Sequence, residues 1–112
     1  GYMPAPYIQL IAGTQELSST LVHLADSGDI PAFTPLMMNA DGLLVPWDGV
    51  SAGKAVYLTP HLISSGTQKT AQVYKTGIFN IDAVNWPKSV TEEAARMAAF
   101  IGSGVSVQPL HN

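Results

Sequence analysis

Residues 84–107 constrain the fold more than any other part of this sequence, because a Trp-Pro pair, a run of helix formers and a Gly-Ser-Gly exit follow one another there. In Asn85-Trp86-Pro87 the proline disfavours helical geometry at Trp86, so the chain arrives extended and turns only afterwards. Ser89 is the expected N-cap, with Glu92 three residues on to complete a capping box. Glu92 and Glu93 also suit the positive end of a helix dipole. The stretch from Ala94 to Ile101 is rich in good helix formers, and Gly102 is placed to end it in a left-handed cap. The spacing therefore predicts one short helix over about 90–101. Val90, Ala94, Met97 and Ile101 share one face with Phe100 beside them, and Glu92, Glu93 and Arg96 lie toward the other. Such a helix is expected to lie as a lid on a core.

With 112 residues, the chain is expected to form one domain whose modest core would gain from oligomerisation. Only 12% of residues are charged while 46% are hydrophobic, which leaves more apolar and neutral surface than a small monomer usually exposes. Some of that surface is expected to be covered by partner chains. A formal charge of −3 with five Lys and Arg gives no footprint for nucleic acid. Absence of cysteine excludes disulfides and thiolate metal sites. No apolar run approaches a membrane span, and the first dozen residues lack the basic start of a secretory signal, so a soluble chain with no export mark is expected.

Pro4 and Pro6 keep the first residues out of regular helix, and Tyr7-Ile8-Gln9-Leu10-Ile11 is β-prone. The first dozen residues read as an extended arm that can add a strand to another protein's sheet, or equally as an edge strand of its own domain. Residues 14–25 have helical leucine spacing but weak helix formers, and read as extended. Asp26-Ser27-Gly28-Asp29 before Pro31 marks a turn between arm and body. Next come a short segment from Phe33 to Met38, the turn Asn39-Ala40-Asp41-Gly42, and a return from Leu43 to Trp47, which together predict a hairpin with Pro46 at an edge or bulge. Strands are expected at Ala55-Val56-Tyr57-Leu58, at Thr70-Ala71-Gln72-Val73-Tyr74, after a bend at Thr76-Gly77 in Ile78-Phe79-Asn80-Ile81, and at Val105-Ser106-Val107. The sum is an α+β, mostly β small compact domain: residues 1–31 as extended N-terminal arm and 32–112 as body.

No catalytic spacing emerges. His23, His61 and His111 lack metal-ligand spacing, and no Gly-x-Ser-x-Gly elbow supports a triad. Adjacent Glu92 and Glu93 diverge around a helix, while Asp26 and Asp29 flank a turn glycine without the rest of a calcium loop. Gly102-Ser103-Gly104 follows a helix where a dinucleotide fingerprint would open one. No cofactor, metal or catalytic residue is assigned, and an enzyme is not expected. Trp47 and Trp86 stand beside prolines and read as packing devices or interface anchors, and Met37-Met38 as core filler.

In order along the chain, Thr34-Pro35-Leu36-Met37, Leu44-Val45-Pro46-Trp47-Asp48-Gly49, Ala55-Val56, Tyr74-Lys75-Thr76-Gly77-Ile78-Phe79, Val84-Asn85-Trp86-Pro87 and Ala99-Phe100-Ile101-Gly102-Ser103-Gly104-Val105-Ser106-Val107 resemble the head decoration (capsid-stabilising) proteins of tailed phages, of the phage lambda type. The resemblance covers about two thirds of the chain, residues 34–107. It implies a late, structural virion protein, made in the host cytoplasm. As a homotrimer it would bind the outside of the expanded capsid at threefold positions and stabilise the shell against packaged-DNA pressure. Its partners would be the major capsid protein and itself, with no direct nucleic acid and no membrane. Tyr7, Ile8, Gln9, Leu10 and Ile11 would be the capsid-binding arm, and Pro35, Trp47, Trp86, Pro87 and Phe100 the fold or interface anchors. The alternative is a capsid-surface module that binds host cell or glycan, which would expose Trp47, Tyr57 or Tyr74. A small enzyme would instead need a pocket of convergent ionisable groups.

Overall fold

A computed structural model describes residues 9–13, 16–64 and 68–110. Its framework is a mostly antiparallel sheet in which eleven-residue β7 (Thr70–Asn80) is the central spine. β1 (Ser18–His23) pairs antiparallel with β7, as does β5 (Tyr57–Leu58). β3 (Pro35–Met38) and β4 (Leu44–Pro46) extend the sheet, giving the order β1-β7-β5-β3-β4. A parallel bridge between Leu24 and Leu44 links the two ends of this path, so the sheet curls back on itself like a small barrel. β2 (Asp29–Ile30) and β6 (Ile63–Ser64) form a separate two-stranded piece.

The hairpin formed by β3 and β4 is the one expected from its turn. The Asn39 side-chain oxygen accepts from the N–H groups of Asp41 and Leu43, and Gly42 takes the left-handed conformation (φ 81°) that closes the turn. Pro46 lies on β4 at the end of the strand order, where its missing donor costs no ladder bond.

The bend expected at Thr76-Gly77 is not a break. β7 runs through it, but the register against β1 slips between Ser18↔Thr76 and Ser19↔Tyr74, leaving Lys75 as the extra, exposed residue of a bulge. One inserted residue reverses the alternation of faces. Before it, Ala71 and Val73 face one core with Val22, Leu24, Ile30, Leu36, Leu44 and Ile63. After it, Phe79 joins the opposite core, against which Tyr74 also packs, with ring centroids 5.3 Å apart. Two cores therefore lie on the two faces of one sheet. Full burial of side chains such as Phe79, Leu36, Ile30 and Ile63 contributes about 1.5–3 kcal/mol each.

Residues 81–103 form the crossover from β7 to its parallel partner β8 (Gly104–Gln108), as a parallel pair requires. It carries a 3-10 turn (Ile81–Ala83), the Trp-Pro pair and helix α1 (Glu93–Ala99). α1 is shorter than expected and capped differently. Its N-cap is Glu92, which makes no side-chain cap bond, so the Ser89–Glu92 capping box does not form. Ser89 instead sits in a turn in which the Val90 N–H donates to the Pro87 carbonyl. Gly102 does take a left-handed φ of 96° past the helix end. The buried residues at this helix are Ala99 and Phe100, with Val90 ahead of it, whereas Met97 and Ile101 are 43% and 68% exposed and Ala94 is exposed. The predicted lid thus covers the core with its C-terminal end rather than with the Ala94–Met97–Ile101 stripe. Arg96, assigned to the solvent side, instead places its guanidinium 5.5 Å from the Trp86 ring centre and donates from Nε to the Val90 carbonyl.

Of the residues assigned to the arm, 18–30 carry β1 and β2, and residues 1–8 lie outside those described. Residues 9–12 run antiparallel to the end of β7. The Ala12 N–H donates to the Ile78 carbonyl, the Asn80 N–H to the Leu10 carbonyl, and Ile11 bridges Phe79.

Candidate functional site

Two short chain corners create a groove on the surface of the described residues. Phe33 holds a left-handed backbone (φ 61°), unusual for a residue with a side chain, and both its backbone groups are tied. Its N–H donates to the Thr59 carbonyl and its carbonyl accepts from the Asn85 N–H. This corner brings Pro31 and Thr34-Pro35 beside the Trp-Pro pair of the crossover. Together with Pro46 and Trp47 at the end of β4 they line a groove of about 240 Å³: Pro31, Thr34, Pro35, Pro46, Trp47, Asn85, Trp86 and Pro87.

Thr34, Pro35 and Trp47 are buried, Trp86, Pro46 and Pro87 half-buried, and Pro31 and Asn85 form an exposed rim. The two indoles meet edge to face, centroids 6.2 Å apart at 75°, and Phe100 supports Trp86 from behind at 6.2 Å. The indole N–H groups and the Thr34 hydroxyl of the lining are already paired. Trp86 Nε1 donates to the Ile81 carbonyl at 2.8 Å and Trp47 Nε1 to the Ser51 carbonyl at 3.0 Å. Thr34 and Thr59 hydroxyls both donate to the Pro31 carbonyl, and Asn85 Nδ2 donates to Thr34 Oγ1. Proline rings, indole edges and the exposed Asn85 side chain make up the rest of the lining. The lining holds no acid, base or thiol, and no cluster of three or more His, Asp or Glu capable of holding a metal occurs among the described residues.

Four of the five anchors named from sequence, Pro35, Trp47, Trp86 and Pro87, thus meet in one groove, with Phe100 packed behind it. Pro31, Thr34, Pro46 and Asn85 were missed as a set, although each flanks a named anchor or begins a proline corner; the Phe33 turn that unites them has no sequence signature. Of the proposed arm residues, Tyr7 and Ile8 lie outside the described residues. Gln9, Leu10 and Ile11 lie beside β7, where Asn80 Nδ2 donates to the Gln9 carbonyl at 2.8 Å and Leu10 and Ile11 pack against the core containing Phe79. Trp47 is 5% exposed, and Tyr57 and Tyr74 are half-buried against the two cores, so these three form no exposed aromatic platform.

The family model of the bacteriophage lambda head decoration protein D matches residues 5–107. The chain is 38% identical over 100 residues to the head decoration protein of Enterobacteria phage P21, covering 88% of this chain and 85% of that one. To a putative decoration protein of Escherichia phage N15 it is 42% identical over 80 residues, covering 69% of this chain and 70% of that one. The matched span, residues 5–107, takes in the groove and the crossover that joins β7 to β8, and the chain belongs to the phage head decoration family, structural virion proteins rather than enzymes.

Proposed function

We propose that this chain is the outer decoration subunit of a phage head. It is synthesised late in the host cytoplasm, assembles as a homotrimer, binds the major capsid protein at threefold positions of the expanded shell, and braces that shell against packaged DNA. The observation that carries this reading is the family match across residues 5–107, to which the fold adds two supports. First, Leu17, Leu21, Met97, Ile101 and Val50 are exposed on a chain with little charge, as expected of a subunit that works covered by others. Second, residues 9–12 lie extended along the end of β7, bridged to it through Ile11, which suits a β-prone arm that adds a strand to a capsid subunit's sheet.

A trimer presents three such arms, and once one docks the others bind at high effective concentration. A ligand that binds only the expanded lattice stabilises that lattice by mass action. The direct test is heating of DNA-filled heads with and without the bound protein. Decorated heads should retain DNA to a higher temperature, and equal release temperatures would remove the bracing role.

A further inference from the structure

An aspartate followed by glycine can close its carboxyl group onto the next backbone nitrogen, because no Cβ hinders the approach. The sequence holds this pair as Asp41-Gly42 and again as Asp48-Gly49. The fold treats the two differently. Asp48 Oδ1 accepts from the N–H groups of Val50 at 2.9 Å and Ser51 at 3.3 Å, which holds its carboxylate in a side-chain turn. Gly49 is also hemmed in, since a Cβ there would meet Pro87 and Val90 at 3.1 Å and Ser89 Oγ at 3.2 Å.

Asp41 and Gly42 have neither restraint. Both are exposed at the tip of the β3–β4 hairpin, the space beside Gly42 is open, and the Asp41 carboxylate makes no hydrogen bond among the described residues. Asn39 holds this turn instead. Its Oδ1 accepts from the N–H groups of Asp41 at 2.9 Å and Leu43 at 3.0 Å, and its carbonyl from the Gly42 N–H at 3.1 Å. Only that last bond must open to free the Gly42 nitrogen, at an exposed position where water replaces the lost partner.

We propose that Asp41 is a site of spontaneous backbone modification, isomerising to isoaspartate through a cyclic imide with Gly42 and thereby unfastening the β3–β4 turn. In the first step the Gly42 nitrogen loses its proton and bonds to Asp41 Cγ, and a carboxyl oxygen leaves as water. In the second, water adds to the Asp41 main-chain carbonyl carbon and the bond from that carbon to the Gly42 nitrogen breaks. The chain then runs through Cβ and Cγ, and the former main-chain carbonyl becomes the free carboxylate. One water leaves and one enters, so mass is unchanged, but the main chain gains a methylene between the groups that Asn39 holds. Asp48 is protected by its own turn. Neither step involves a shell, so this site and the proposed function can fail independently.

The experiment incubates the full chain in warm, mildly acidic buffer and digests it at intervals. Isoaspartate at each Asp-Gly pair is measured by mass spectrometry with electron-transfer fragmentation. It should accumulate at Asp41 about ten-fold or more faster than at Asp48, whose charged carboxylate must first leave its hydrogen bonds. In strong denaturant the two rates should converge, because the fold makes the difference. Hydrogen exchange at the Leu43 N–H should be faster in the aged chain, with Val73 unchanged. Asp41→Glu, which would have to close a larger ring, should remove the faster product. Equal native rates, faster reaction at Asp48, or a ratio that survives denaturant overturns the proposal. So does a product that persists in Asp41→Glu, or unchanged exchange at Leu43 once Asp41 has isomerised.

Discussion

At the scale of single residues, the groove depends on groups that contribute no surface to a ligand. Thr59, fully buried, accepts from the Thr34 N–H at 2.8 Å and donates to the Pro31 carbonyl at 2.9 Å, tying the two sides of the Phe33 corner. Thr59→Val keeps the volume but leaves the Thr34 N–H without that acceptor, so a loss of about 1–3 kcal/mol is expected, read as a lowered urea midpoint. Gly104 illustrates a different constraint. A Cβ there would sit 2.6 Å from the Lys75 carbonyl oxygen, a backbone atom that cannot swing aside. Gly104→Ala should therefore cost about 1–3 kcal/mol by the same measurement, through strain where β8 meets β7. Asn80, 2% exposed, serves both directions at once: its amide donates to Gln9 and its oxygen accepts from the Asp82 N–H. Asn80→Ala should speed hydrogen exchange at Ala12 while leaving exchange at Val73 in the opposite core unchanged.

At the scale of elements, the sequence was most readable where local chemistry decides the structure. Asn39 and Gly42 specify the β3–β4 hairpin on their own, and Pro46 locates its edge. Legibility failed where a long-range partner decides. β1 has weak helix formers at leucine spacing, and only its ladder to β7 resolves it as a strand. The Lys75 bulge is invisible locally because it exists only relative to Ser18 and Ser19, yet it sets which face Phe79 occupies. In α1 the helical period showed an apolar stripe correctly but not what covers it: Ala99 and Phe100 reach the core while Met97 and Ile101 do not. The groove was half legible, since Pro35, Trp47, Trp86 and Pro87 stood out in the sequence and the Phe33 turn that gathers the rest did not show. The cap is a clean test of this account. Because Ser89 makes no cap bond, Ser89→Ala should change stability by less than about 0.5 kcal/mol, against the roughly 1 kcal/mol loss typical when a capping hydroxyl is removed.

At the scale of the whole molecule, a sheet with a core on each face provides a rigid body, and its surface carries exposed Leu17, Leu21, Val50, Met97 and Ile101. The stripe Ala94–Met97–Ile101, unused by the core, is the best candidate for contact between copies in the proposed trimer. Met97→Glu with Ile101→Lys should leave the fold intact by circular dichroism and lower the sedimenting mass toward that of one chain; an unchanged mass would place the contact elsewhere. The proposed function requires that the chain decorate a phage head only after the shell has rearranged. The measurement that tests it most directly is co-sedimentation of the full chain with unexpanded and expanded shells of its phage. Binding to expanded shells alone is expected, and equal binding to both, or to neither, would overturn the proposed function.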